Sequence, residues 1–148
     1  MQTDQILLVQ TTFKQVEPIA ETAAELFYSR LFTIDPSLRP LFKGDLKKQG
    51  KKLMQALHVV VKGISRLDTI LPTVQQLGRE HVKYGVQDAH YDTVGAALLW
   101  TLEQGLGDTF TPEVEEAWTA AYGLLAGTMK SAAAEVAQQT DTSALRAA

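Results

Sequence analysis

The sequence predicts an all-α protein with one core. Apolar residues recur at the three- and four-residue spacing of helices along most of the chain. No sustained alternation of apolar and polar residues between hairpin turns is present in it. Its 148 residues, 45% of them hydrophobic, suffice for one domain but not for two. We therefore expect one domain over residues 1–138 and a frayed or disordered tail over residues 139–148.

The first two helices follow from their apolar stripes. Residues Ile6, Val9, Phe13 and Val16 share one face of a first helix, which Thr3 or Asp4 would cap. Pro18 suits the first turn of a second helix, which runs to the break at "TIDPSLRPLF". The two prolines of that break allow only a short helical piece before Gly44.

The later helices are bounded by capping residues, prolines and glycines. A long helix is expected from about Asp45 to Ile64, and another is expected to begin near Pro72 and to end at Gly85. Two more are expected from about Tyr91 to Leu106 and from Pro112 onward, with Thr111 as the N-cap of the last.

Charge and composition exclude several classes of protein. The net charge of −3 and the pI near 5.6 oppose nucleic-acid binding, and basic residues cluster only in the pairs Lys47-Lys48 and Lys51-Lys52. With no cysteine there is no disulfide, thiolate metal site or iron–sulfur cluster. No basic leader and no apolar run of roughly 18 residues is present. We expect a cytoplasmic protein without a membrane or nucleic-acid partner, either a monomer or a weak homodimer.

His81, in "LGREHVKYGV", is the candidate site residue. It lies on an apolar helical stripe, where it is a surface residue, a half-buried polar group or a metal ligand. Metal sites that need several side chains are not supported, because no H-E-x-x-H pattern is present and His90 lies beyond Gly85. A haem needs only one imidazole, because the porphyrin supplies four nitrogen ligands.

The helix predicted over 45–64 has an apolar face that could line a haem pocket opposite His81. Leu53, Leu57 and Val60 form its inward face, and Gln49 lies one turn before Leu53. His58 is about half a turn round from Gln49 and should face away. Taken alone, Gln49 fits a solvated helix residue better than a ligand-binding one.

The motifs "LFYSRLF", "DPSLRPLF", "KKQGKKLMQAL", "LGREHVKYGV", "HYDTVGAALL" and "AWTAAYG" occur in this order with nearly gap-free spacing. In the order and spacing of these motifs the chain resembles the bacterial haemoglobins of the globin superfamily. These include single-domain bacterial globins, the globin domain of flavohaemoglobins and neuroglobin-like bacterial globins. The resemblance covers about Phe13 to Met129. It implies a globin fold around a haem b pocket, with a short or absent D helix.

The resemblance also implies roles for individual residues. His81 is similar to the proximal iron ligand, and Leu77 would pack under the porphyrin beside it. On the distal side, Tyr28 and Gln49 match the tyrosine and glutamine that face the gas ligand. Leu53 matches the apolar residue that limits the ligand cavity.

Phe42 matches the phenylalanine that wedges the haem, and Val86 is expected to contact it as well. The alternative for Phe42 is simple core packing. The alternative for Tyr28 is a core tyrosine with its hydroxyl at the boundary.

Four residues are less informative. Lys52 is either a partner of a haem propionate or a solvated lysine. His90 lies either at the haem edge or on the surface. Trp100 and Trp118 are expected to be packing groups.

The second nitrogen of His81 needs a partner, and the carbonyl of Leu77, four residues earlier, is the nearest candidate. In flavohaemoglobins a tyrosine and a glutamate also support the proximal histidine. Tyr91 matches that tyrosine, but Ala133 stands at the position of the glutamate. Glu135 is about 160° from that position on a helix, which puts a carboxylate "push" and peroxidase-like chemistry in doubt.

The expected function is reversible binding of O2, and of NO and CO, between Tyr28, Gln49 and Leu53. The resemblance also implies nitric oxide dioxygenation with an external reductase, which leaves the protein's status as an enzyme open. A haem-based gas or redox sensor that signals through a partner protein is the alternative. A globin-fold interaction module without haem is a third.

Overall fold

The computed structural model describes residues 1–42 and 44–147, with side chains described through Val136. Its α-helices, in chain order, are α1 (Thr3–Val16), α2 (Ala20–Ile34), α3 (Leu46–Gly63), α4 (Leu67–Lys83), α5 (Asp88–Leu106) and α6 (Pro112–Ala147). Short 3₁₀ segments occupy Glu17–Ile19, Pro36–Leu41 and Gly107–Thr109. No strand occurs in the described part of the chain, so the all-α prediction is confirmed. The prediction for residues 139–148 lies outside the residues whose side chains are described.

Two predicted helix caps are present. The Asp45 carboxylate accepts the backbone N–H of Lys47 at the start of α3 (2.9 Å). The Thr111 hydroxyl accepts the N–H of Val114 at the start of α6 (3.3 Å). Each side chain satisfies an amide that has no partner within its own helix.

Three predicted helix starts were wrong. Helix α1 begins at Thr3, with Gln2 before it, rather than after a Thr3 or Asp4 cap. Helix α4 begins at Leu67 and includes Pro72 in its interior, although proline cannot donate to the carbonyl four residues earlier. Burial of Ile70 and Val74, on either side of that proline, stabilises the turn nonetheless.

The third error concerns α5, which begins at Asp88 instead of Tyr91. The backbone N–H of Gln87 donates to Nδ1 of His90 (3.0 Å). This contact caps the first turn of α5 with a histidine. The start was not predicted because serine, threonine, aspartate and asparagine are the usual capping residues.

The core consists of two apolar clusters. The larger is built mainly from α1, α2, α5 and α6 and includes Phe13, Phe27, Leu31 and Trp118. The smaller joins α3, α4, α5 and α6 around Val60, Ile70, Val74, Tyr91, Ala126 and Met129. The two clusters therefore cover different ends of the interior.

Trp118 does more than pack. Its Nε1–H donates to the Thr12 hydroxyl (2.8 Å), which in turn donates to the carbonyl of Leu8 (2.6 Å). Because Trp118 and Thr12 are 97% and 98% buried, these bonds satisfy groups that water cannot reach. They fix α6 against α1.

Helix α4 crosses α6 at very short range. A Cβ atom on Gly78 would lie 2.4 Å from the carbonyl oxygen and 2.7 Å from the Cα of Met129. Backbone atoms cannot move aside as a flexible side chain can. Gly78 therefore allows the close approach that positions the end of α4.

Among the described residues, no helix is both long enough and apolar enough to cross a lipid bilayer.

The glycine crossing gives a paired prediction. Gly78→Ala should lower the free energy of unfolding by about 1–3 kcal/mol, because the added methyl group overpacks the crossing. Gly123→Ala, in α6 with nothing within 4 Å of the new Cβ, should raise it by about 0.5–1 kcal/mol. Urea unfolding followed by far-UV circular dichroism measures both changes. Equal effects of the two substitutions would contradict this account of the crossing.

Candidate functional site

His81 lies in the last turn of α4 and is half-buried. Its Nδ1 is 2.6 Å from the carbonyl oxygen of Leu77, the hydrogen bond expected from the sequence. A carbonyl oxygen can only accept, so Nδ1 carries the hydrogen. The lone pair is then on Nε2, which leaves that atom available to bind a metal.

The helix end that carries His81 is held by a glycine turn. Gly85 has a φ of +83°, in the left-handed region that glycine adopts without strain. The N–H of Val86 donates to the carbonyl of His81, and the N–H of Gly85 to that of Val82, both at 3.1 Å. This is a Schellman motif, and it fixes Val86 relative to His81.

Tyr28 and Gln49 come together from α2 and α3. The Tyr28 side chain is 95% buried, and burial raises the pKa of its phenol to about 12, partly offset by a hydrogen bond with the side chain of Gln49. Gln49 itself is exposed. Tyr28 is therefore a protonated donor at neutral pH.

The close approach of α2 and α3 depends on Gly50, the residue after Gln49. A Cβ atom on Gly50 would lie 2.9 Å from the Cβ of Ala24. Because Gly50 lacks a Cβ atom, α3 can approach α2 closely, and Gln49 then lies near Tyr28.

Phe42 packs beside Tyr28 in an aromatic group. Its ring lies edge-on to those of Tyr28 and Phe32, with centroids 5.4 Å apart in each pair. Arg39 holds this group from outside, because its Nη1 donates to the carbonyl of Phe42 (3.0 Å) and its guanidinium lies 5.5 Å from the Phe32 centroid. Arg39 was not predicted, because no spacing pattern in the sequence indicates it.

Leu53 is half-buried and lies on the apolar face of α3. It lines an internal apolar cavity together with Phe13, Val16, Ala23, Phe27, Met54, Leu57, Leu98, Thr101, Leu102 and Trp118. This cavity is lined by neither Tyr28 nor Gln49, so the expected role of Leu53 stays a prediction.

Leu77, Val86 and Tyr91 meet in the smaller apolar cluster, on the side of His81. Desolvation by burial, with a smaller contribution from Asp88, raises the pKa of the Tyr91 phenol. The backbone carbonyl of Tyr91 accepts the hydroxyl of Tyr122.

The cluster around Tyr91 also contains a cation. Lys130 Nζ lies 5.6 Å from the centroid of the Tyr91 ring. Ala133 is half-buried and Glu135 is exposed. A cation therefore lies over the face of the Tyr91 ring, a contact that no sequence pattern predicts.

The other histidines have structural partners. His58 is exposed and contacts the Glu17 carboxylate (3.2 Å), as expected for a side chain facing away from Gln49. His90 caps α5, which favours neither of the two interpretations left open for it. Lys52 is exposed, and Trp100 lies under the guanidinium of Arg30, 5.1 Å from the ring centroid.

The structure thus forms two groups of candidate residues. Tyr28, Gln49, Phe42 and Leu53 belong to the side of α2 and α3, and His81, Leu77, Val86 and Tyr91 to the side of α4 and α5. The two sides approach each other where Gly85 packs against the Leu41 side chain, which lies 3.4 Å from the position of an added Cβ.

These residues fit a haem. No group of three or more histidine, cysteine, aspartate or glutamate side chains that could hold a metal ion occurs in the described part of the chain. The single imidazole has a free Nε2 and an oriented ring, with apolar clusters on both sides. Such a site would hold the cofactor through one histidine.

Comparison with known proteins gives the family. The sequence model of the globin family matches residues 25–129. Flavohemoproteins of Vibrio cholerae and Bacillus subtilis are each 33% identical to the chain, over 126 and 124 residues that cover 83% and 82% of it. The chain belongs to the globin family, and membership implies haem binding.

The chain spans about a third of the length of these relatives, 32% and 31% respectively. Two solved structures share its fold. A globin of Campylobacter jejuni has a TM-score of 0.81 at 24% identity, over 93% of this chain and 99% of the other. An engineered carbene transferase, made from a candidate nitric oxide dioxygenase of Rhodothermus marinus, has a TM-score of 0.87 at 23% identity, over 95% and 99%.

The raised pKa of Tyr28 predicts a loss of stability in alkali. The unfolded phenol ionises from pH 10, whereas the folded one does so only near pH 12, so unfolding releases protons in this range and stability falls as pH rises. Relative to Tyr28→Phe, the wild type should lose about 2 kcal/mol of unfolding free energy between pH 9 and 11.5. Urea unfolding at several pH values measures the difference. Tyr84→Phe, at an exposed position, is the control and should follow the wild type; parallel curves for all three proteins would contradict the burial of this phenol.

Proposed function

We propose that this globin binds haem b through Nε2 of His81 and takes O2 on the side of Tyr28 and Gln49. The observation that carries the proposal is the buried Tyr28 phenol with Gln49 beside it. A phenol O–H and an amide N–H placed together supply two hydrogen-bond donors, which is what a bound O2 molecule needs.

The remaining contacts of the haem are assigned by position. Leu77, Val86 and Tyr91 would pack on the side of His81, and Phe42 on the side of Tyr28. Lys52, exposed on α3, would reach a propionate with its ammonium group.

When bound, the haem would supply an iron that binds a diatomic gas. The surrounding residues would set the rate at which the gas dissociates. The O–H of Tyr28 and the amide N–H of Gln49 would donate to the oxygen atom on which negative charge accumulates. In a site with little water these bonds are stronger than in solution. CO polarises less than O2 and gains less from them.

A candidate activity is nitric oxide dioxygenation, the conversion of NO and O2 to nitrate. The similarity to flavohemoproteins over their globin portion supports it, as does the fold shared with a candidate nitric oxide dioxygenase. Each turnover consumes one electron, which an external reductase would supply. Leu53, one turn after Gln49 on the apolar face of α3, would limit the space available to a second gas molecule.

Removal of the Tyr28 hydroxyl tests this proposal. In Tyr28→Phe, O2 dissociation should become about ten- to a hundredfold faster, because one hydrogen bond of about 1–3 kcal/mol is lost. CO dissociation should change far less. Stopped-flow replacement of O2 by CO, and of CO by NO, measures the two rates.

Ser29→Ala is the control, because it removes an exposed hydroxyl from the residue next to Tyr28 on α2. It should leave both rates unchanged. An unaltered O2 dissociation rate in Tyr28→Phe would remove the basis of the proposed function.

A further inference from the structure

Helix α3 has an unusual distribution of charge. It contains the lysines Lys47, Lys48, Lys51, Lys52 and Lys62 and no acidic residue between Leu46 and Gly63. The chain as a whole has 17 acidic and 14 basic residues and a net charge of −3. The positive charge of α3 is therefore a local departure from an acidic protein.

Four of these lysines form one surface, here called the basic face: Lys47, Lys48, Lys51 and Lys52. On a helix they fall within an arc of about 140°, and Gln49 lies only about 60° beyond Lys52. All four are exposed. The basic face therefore borders the edge of α3 that carries the gas-site residue Gln49.

Of the four lysines of the basic face, only Lys47 has an acidic partner in the described part of the chain. Lys47 pairs with Glu21 at 3.4 Å, an exposed pair that contributes little to stability. Asp45 caps the helix, and Glu17 contacts His58 further along α3. Within the described part of the chain, no acidic side chain lies within 4.0 Å of the ammonium groups of Lys48, Lys51 and Lys52.

We infer that the basic face is the docking surface for an acidic electron-donor protein, which reduces the haem beside Gln49. The inference rests on the proposed function, because that function requires an external source of electrons. The inference adds to the proposed function the place where the electron donor binds and the sign of the charge that the donor must carry.

Charge complementarity favours a protein over a membrane or a nucleic acid. An acidic patch on a small protein can face α3 alone, whereas an extended polyanion would also face the acidic remainder of the chain. The basic face carries no large apolar side chain that could insert into a bilayer. The attraction acts over about 8 Å at physiological salt, so the lysines nearest the contact dominate.

The redox step is a single-electron transfer. The reduced donor, a flavoprotein or an iron–sulfur protein, loses one electron, and ferric haem gains it to become ferrous. No bond in the protein is formed or broken. The lysines raise the rate of encounter and orient the donor without taking part in the transfer.

The test uses reduced flavodoxin, an acidic flavoprotein, with the ferric haem-loaded protein in a stopped-flow instrument. Lys48→Gln/Lys51→Gln should lower the second-order rate of reduction about three- to tenfold at low ionic strength, and the difference should vanish in high salt. Lys14→Gln/Arg66→Gln changes the net charge equally at exposed positions away from the basic face, and should change the rate less than twofold. O2 dissociation should be the same in all three proteins.

Two results would overturn the inference. One is an equal rate of reduction in both double variants. The other is binding to phosphatidylglycerol vesicles that depends on Lys48 and Lys51 while reduction by flavodoxin does not, which would assign the face to a membrane.

Absence of a Soret band after reconstitution would refute the proposed function instead of the docking surface. Docking is then measured in the same proteins by fluorescence titration with oxidised flavodoxin. Weaker binding by Lys48→Gln/Lys51→Gln alone would support the surface independently of the haem, and equal binding by both double variants would reject it.

Discussion

The hydrogen bond from His81 Nδ1 to the carbonyl of Leu77 is the interaction on which the rest of this structure depends. It fixes the tautomer and the ring orientation of the imidazole that we propose as the iron ligand. The Schellman motif at Gly85 holds the end of α4, and the crossing at Gly78 sets its distance from α6. The hydrogen bond between His81 and Leu77 therefore orients the imidazole, and Gly78 and Gly85 allow the backbone conformation that positions it.

The opposite side of the site depends on burial of a polar group. Burial raises the pKa of the Tyr28 phenol and so keeps it protonated further into the alkaline range, and Gln49 reaches it because α2 and α3 approach closely at Gly50. The side of His81 instead contains a cation, since Lys130 lies over the ring of Tyr91.

The sequence predicted features that depend on local periodicity. The helices, the caps at Asp45 and Thr111 and the bond between His81 and Leu77 all join residues within one turn, and their spacing alone indicates them. It failed at Pro72, where buried neighbours outweigh a local helix breaker. Arg39 and the pairs of Tyr91 with Tyr122 and Lys130 escaped prediction because tertiary packing forms these contacts. The individual roles of Tyr28 and Gln49 were implied by family resemblance, since each residue alone suits an ordinary helix.

The absorption spectrum of the purified protein, ferric and after reduction, tests the central claim most directly when it is recorded beside His81→Ala. His58→Ala, which removes an exposed imidazole that contacts Glu17, is the control. We expect a Soret band that shifts on reduction in the wild type and the control, its loss or alteration in His81→Ala, and its recovery when free imidazole is added. An unchanged spectrum in His81→Ala would show that another group holds the iron and would contradict the account.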